Sequence, residues 1–181
     1  MDRKLRNTKI KRDIQLLGEY CYKEYFPIEE LSGEIWNDSQ KDWDGSETLR
    51  IKENSLLTGA RKNFHIRGDF QAEKKEGYTA LLFLELGNSR SLEALAFLYG
   101  PEAIVSIDGK AAAGIDPNHP YVFLLEEYLD GKPHEICLEG WTGIKEERYE
   151  TGRVGVCYRN DRIYRLYVLS RVCLEIAEKT E

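Results

Sequence analysis

No run of apolar residues in this 181-residue chain reaches the ~18 that a membrane-crossing helix requires. The N-terminus also lacks the apolar core of a secretory signal, so the expectation is a cytoplasmic protein with no membrane partner. Four cysteines, Cys21, Cys137, Cys157 and Cys173, lie far apart with no CxxC pair. That excludes a zinc knuckle built from sequence neighbours and agrees with reduced thiols in a cytosolic protein. Asn37-Asp38-Ser39 has the letters of a glycosylation sequon, which carry no meaning without export. Excess positive charge is missing as well: 26 Lys and Arg face 32 Asp and Glu, for a net charge of -6. A general nucleic-acid binder is therefore not expected, because neutralising phosphates takes surplus cations. The one basic crowd, Arg3, Lys4, Arg6, Lys9, Lys11 and Arg12, reads as a solvated helix face.

Catalytic signatures are equally scarce. The three histidines, His65, His119 and His134, sit in no HxD, HxH or HExxH pattern, so no metal centre is anchored by neighbouring residues. There is no GxSxG elbow and no GxxxxGK[ST] loop. Spacing does not exclude a Cys-His pair, yet nothing singles out one cysteine as activated. Carboxylate pairs such as Glu126-Glu127 and Glu146-Glu147 read as solvated runs. A glycosidase pair must face across a cleft at ~5–9.5 Å, a geometry that adjacency in sequence does not supply. The chain is thus expected to hold no catalytic residue, cofactor or metal of its own.

What is present is a single domain's worth of folding material. A chain of this size buries roughly 70% of its unfolded surface, and 41% of its residues are hydrophobic. Ile10, Ile14, Leu17 and Cys21 repeat at four, three and four, which predicts an amphipathic helix over about 3–25, stopped near Pro27. Residues 32–44 mix Gly, Asn, Asp and Ser with Trp36 and Trp43 and read as an irregular connection plugged by aromatics. Strands follow. "TLRIKE" and "NFHIRGDF" alternate apolar with polar, while "YTALLFLEL" is a continuous run suited to a strand covered on both faces. Arg67-Gly68-Asp69 is expected to be a turn. "EALAFLYG", "AIVSID", "HEICLEGW" and "GRVGVCYR" are further strand candidates. "YVFLLEEYL" fits a strand or a short helix equally well. Asp108-Gly109 and Asp130-Gly131-Lys132-Pro133 mark turns, since Gly accepts the positive φ that a tight hairpin demands.

Ile163, Leu166, Leu169, Cys173 and Ile176 return to helical spacing, and that helix runs to the last residues as if continuing into more protein. Short strands with few helical windows between them predict a mainly β fold. The expected architecture is an antiparallel β-sandwich, jelly-roll or galactose-binding-like, flanked by N- and C-terminal helices. Its divisions are a helix and linker over 1–31, the sandwich over 32–160 and an outgoing helix over 161–181. Three tryptophans and eleven tyrosines offer rings that could stack on sugars, although large aromatics more commonly pack cores.

One stretch is more specific. "EALAFLYGPEAIVSIDGKAAAGIDPNHPYVFLL", followed by "ICLEGWTG", resembles the N-terminal non-catalytic region of family 38 glycoside hydrolases, the retaining α-mannosidases of cytosolic and bacterial type. The matching elements are Ile107-Asp108-Gly109-Lys110, then Gly114-Ile115-Asp116-Pro117-Asn118-His119, then Glu139-Gly140-Trp141-Thr142-Gly143. The resemblance covers about 47–143 and is looser in the flanking helices. It implies that Asp116, Asn118, His119 and Trp141 face a cleft or a neighbouring domain. It also implies a parent enzyme releasing terminal α-mannosides with retention, using zinc and an aspartate nucleophile in a separate catalytic domain. Expected partners are that domain, a mannose-containing oligosaccharide and further copies of the parent. The family loop often carries Arg where this chain has Pro117, and the family's His-x-Asp zinc motif is absent here. An independent carbohydrate-binding module and a protein-interaction domain remain as alternatives.

Overall fold

The computed structural model describes residues 3–37, 42–58, 61–87, 100–143 and 148–180. Contacts divide the chain into two units, a larger one of Phe26–Lys74 and Leu81–Val156, and a smaller one of Met1–Tyr25, Lys75–Ala80 and Cys157–Glu181. The strands are β1 (Glu24–Pro27), β2 (Leu31–Asn37), β3 (Asp42–Ile51), β4 (Leu56–Thr58), β5 (Asn63–Glu73) and β6 (Tyr78–Leu84). Then come β7 (Glu102–Ile107), β8 (Lys110–Ile115), β9 (Tyr121–Phe123), β10 (Asp130–Trp141), β11 (Arg148–Glu150) and β12 (Val154–Asn160). Helices α1 (Arg3–Cys21) and α2 (Asp161–Lys179) bracket them in the chain.

Strand order is β3-β2-β5-β10-β7-β8 in a six-stranded sheet and β1-β12-β6-β9 in a four-stranded one, with β11-β4 as a small pair. Two sheets of antiparallel strands make the expected β-sandwich. Its core follows from period-two alternation. Ile66 on β5, Leu138 on β10 and Val105 on β7 are in register and all have no exposed surface. Beside them Phe64, Ile107 and Ile136 are also fully buried. β6 instead buries Ala80 to Leu84 without a break, as its continuous apolar run requires of a strand between β12 and β9. Gly33 on β2 stands opposite Ile66, and a Cβ there would run into the backbone of His65 and Ile66.

Several local expectations change. Of residues 32–44, expected to be an irregular connection, the described ones are strand: 32–37 belong to β2 and 42–44 to β3, with Trp36 opposite Trp43. Arg67-Gly68-Asp69 lies inside β5 rather than in a turn, because cross-strand pairing on both sides of β5 overrides the local Gly signal. "AIVSID" continues through Asp108-Gly109 into β8, whose alanines are poor strand formers held by pairing with β7. "YVFLLEEYL" opens as β9 and closes as a 3₁₀ turn at Glu126–Tyr128. Asp130 to Pro133 is an irregularity at the start of β10, where the register with β5 shifts. "EALAFLYG" falls outside the described residues up to its last glycine.

In the smaller unit α1 packs on α2. Gly18 makes the approach close, since a Cβ there would come within 3.1 Å of the Tyr167 ring. Lys11 Nζ meets Glu178 Oε1 at 2.7 Å. α1 ends at Cys21 rather than near 25. α2 begins at an Asn160 cap whose side chain accepts from the N–H groups of Arg162 and Ile163, both at 3.1 Å. No residue of α2 is buried, and Leu166, Leu169, Val172 and Ile176 are exposed. No described helix is long and apolar enough to cross a membrane.

Candidate functional site

The stretch 103–125 forms two turns of different character, both in the larger unit. Asp108 and Gly109 have φ of 49° and 75°, the paired left-handed conformation of a two-residue hairpin joining β7 to β8. The second turn is built around one carboxylate. Asp116 Oδ1 accepts from the backbone N–H of Asn118 at 2.6 Å and of His119 at 2.7 Å, and His119 Nδ1 lies 3.2 Å from both carboxylate oxygens. Burial pushes the Asp116 carboxyl up, but those hydrogen bonds from His119 and Asn118 outweigh it and hold it below the usual carboxylate range.

Asp116 and Trp141 border one open groove of about 800 Å³. β10 brings Glu139, Gly140 and Trp141 to it, β5 brings Asn63 and Phe64, and β7 and β8 supply Glu102, Ile104 and Gly114. Trp141 is opposite Asn63 on one side and Glu102 on the other. A half-buried indole beside three carboxylates and a carboxamide suits a ligand rich in hydroxyl groups, with apolar faces for the ring and donors for the acids. Asn118 lines a smaller hollow of about 200 Å³ with Asp116, Pro117 and Glu85. His119 lines neither and is mostly exposed. Of the four residues expected at a cleft, the fold thus brings Asp116 and Trp141 to one groove and turns Asn118 and His119 elsewhere. Pro117, at the position where the family often has Arg, faces Gly100, where no Cβ could fit against its ring.

Two histidine clusters escaped the reading of the sequence. His134 is nearly buried, with Nδ1 2.7 Å from Asp108 Oδ2 and Nε2 3.1 Å from Asp130 Oδ1. The Asp108 hydrogen bond chiefly raises its pKa, helped by Asp130 and opposed by burial. Asp108 is lowered, first by His134. Asp130 is lowered to about 2, first by its hydrogen bonds with Lys132 and then by His134. Phe70 and Tyr128 rings pack on the imidazole at 5.6 and 5.5 Å. This is a fastening between the β7–β8 hairpin and β10.

The second cluster is on the outward side of β5 and β10. His65 Nε2 lies 2.9 Å from Cys137 Sγ, and Arg67 Nε lies 3.2 Å from the same nitrogen. Donor atoms of His65, Cys137 and Glu139 all lie within 4.8 Å of one another. Burial pushes the Cys137 thiol up, with the nearby Arg67 opposing it. Alternation already places His65 with Arg67, and Cys137 with Glu139, on one face of each strand. Only the pairing of β5 with β10 brings the two faces together.

No protein-family model matches this sequence, and no curated protein matches it.

Proposed function

We propose that this chain is the accessory β-sandwich of a retaining α-mannosidase of glycoside hydrolase family 38, without catalysis of its own. One observation carries the reading. The two separate segments that bear the resemblance, 93–125 and 136–143, both reach a single groove, the first through Ile104, Gly114 and Asp116 and the second through Glu139 and Trp141. That both segments reach one groove supports the reading, with Asp116 and Trp141 at the groove and Asn118 and His119 outside it. The exposed apolar residues of α2 agree with a protein partner, here the catalytic domain. On this reading the protein is cytoplasmic and works within a homo-oligomer of the parent enzyme. Zinc and the aspartate nucleophile belong to the catalytic domain, which acts on terminal α-mannosides of an oligosaccharide.

The test is to read the coding sequence past codon 181 and assay its product. A continuous frame with His-x-Asp downstream, and release of mannose from an aryl α-mannoside, is the expected result. A stop codon directly after Glu181, or a long product without that activity, overturns the reading.

The chemistry of the groove favours a second reading, a carbohydrate-binding module that works alone. It predicts saturable binding of a mannoside by the 181-residue chain, lost in Trp141→Ala. The accessory-domain reading expects no such binding.

A further inference from the structure

We propose that His65, Cys137 and Glu139 form a zinc site on the outward face of the six-stranded sheet. It holds or fails independently of that functional reading. β5 contributes His65, and β10 contributes Cys137 and Glu139, two residues apart and so on one face of the strand. The β5–β10 register sets His65 opposite Glu139 and Arg67 opposite Cys137. Imidazole nitrogen, thiolate and carboxylate together are a donor set suited to zinc, softer than calcium or magnesium accept. Because two adjacent paired strands supply all three ligands, little backbone remains to be ordered when the ion arrives.

The distances allow it with a small adjustment. Tetrahedral zinc, with bonds of about 2.0 Å to nitrogen and 2.3 Å to sulfur, sets the two donors about 3.5 Å apart. His65 Nε2 and Cys137 Sγ stand at 2.9 Å, so side-chain rotation must open the pair slightly. Arg67 must also release Nε2, which its Nε approaches at 3.2 Å. Glu34, opposite His65 on β2, shares a hollow of about 430 Å³ with His65 and Arg67 and offers the guanidinium a carboxylate. On binding, Cys137 gives up its proton. Thiolate and carboxylate then balance the two positive charges of the ion, and the fourth position is left to water.

Titration of the whole chain with Co2+ under reducing conditions tests the site. The expected result is one equivalent bound with a thiolate-to-cobalt charge-transfer band that Zn2+ abolishes. Cys137→Ser should remove the band and Cys173→Ser should keep it. His65→Gln should weaken binding by about tenfold or more, since even outer partners of a metal ligand are worth that much. Absence of the band in the wild-type chain, or its survival in Cys137→Ser, overturns the proposal. A second measurement needs no variant: Zn2+ should slow alkylation of Cys137, mapped by mass spectrometry, and an unchanged rate also overturns it.

Discussion

His134 Nδ1 stands 2.7 Å from Asp108 Oδ2, joining a strand residue to a hairpin residue 26 positions earlier. The same Asp108 accepts from the backbone N–H of Glu135 through its other oxygen at 3.0 Å. One carboxylate thus pins the β7–β8 hairpin to β10, and the imidazole passes the contact on to Asp130.

That arrangement predicts how stability depends on pH. His134 is raised on folding, so its contribution is complete below the free imidazole value of about 6.5 and is lost as pH climbs through the folded value. Asp108 and Asp130 are lowered, Asp130 to about 2. Their contribution is complete above about 3.9 and is lost as pH falls through their folded values. The other charges acting on these aspartates are Lys110 on Asp108 and Lys132 on Asp130, and Lys132 is itself raised by Asp130 and stays cationic. Denaturant unfolding should therefore show His134→Gln about 1–3 kcal/mol less stable than wild type near pH 5. The gap should narrow above pH 7, and a gap constant from pH 5 to 9 would contradict the assignment.

Two glycines separate backbone strain from steric exclusion. Gly109 has φ of 75° and open space where a Cβ would stand, so Gly109→Ala should cost only the left-handed penalty of about 1–2 kcal/mol. At Gly140 a Cβ would meet the Phe64 ring and the Glu102 carbonyl. Gly140→Ala should therefore cost more, about 3 kcal/mol, because backbone must move. Paired chemical denaturation curves check the ranking.

Thr151 is buried, and its hydroxyl donates to the Lys52 carbonyl at 2.6 Å and accepts from the Ser55 N–H at 2.8 Å. Thr151→Val keeps the shape and removes both bonds, leaving polar backbone groups without that partner. A loss of about 1–3 kcal/mol is expected, read as a lowered denaturation midpoint.

The turn at 116–119 should respond to its carboxylate and not to its histidine. Asp116→Ala loses the acceptor for two backbone donors and should cost about 1 kcal/mol. His119→Ala should stay within about 0.5 kcal/mol, as substitutions at exposed surface usually do. Proteolysis at 116–119 should quicken only in the Asp116 variant.

Much of the fold was legible because alternation and helical spacing are local. β5, β6 and β12 lie where their apolar patterns lie, and α2 follows the stripe from Ile163 to Ile176. β2 was missed because its Gly33 and Asn37 are turn residues by composition, while its pairing with β5 demands the glycine. β8 was missed because Lys110 to Gly114 carries no β-branched residue and only its pairing with β7 makes it a strand.

The candidate sites divide the same way. From sequence came the paired turn chemistry of Asp108-Gly109, a property of those residues and their immediate neighbours, while the interest of Asp116 and Trp141 came from the resemblance. The groove shared by Asp116 and Trp141, the fastening of His134 and the meeting of His65 with Cys137 depend on register. His65 and Cys137 are 72 positions apart, and no spacing rule reaches across that gap. Sequence by itself determined which faces of the strands are polar, since side chains alternate with a period of two. Tertiary structure alone decided which polar faces meet, because a slip of one residue in the β5–β10 pairing would turn every one of those side chains to the other side.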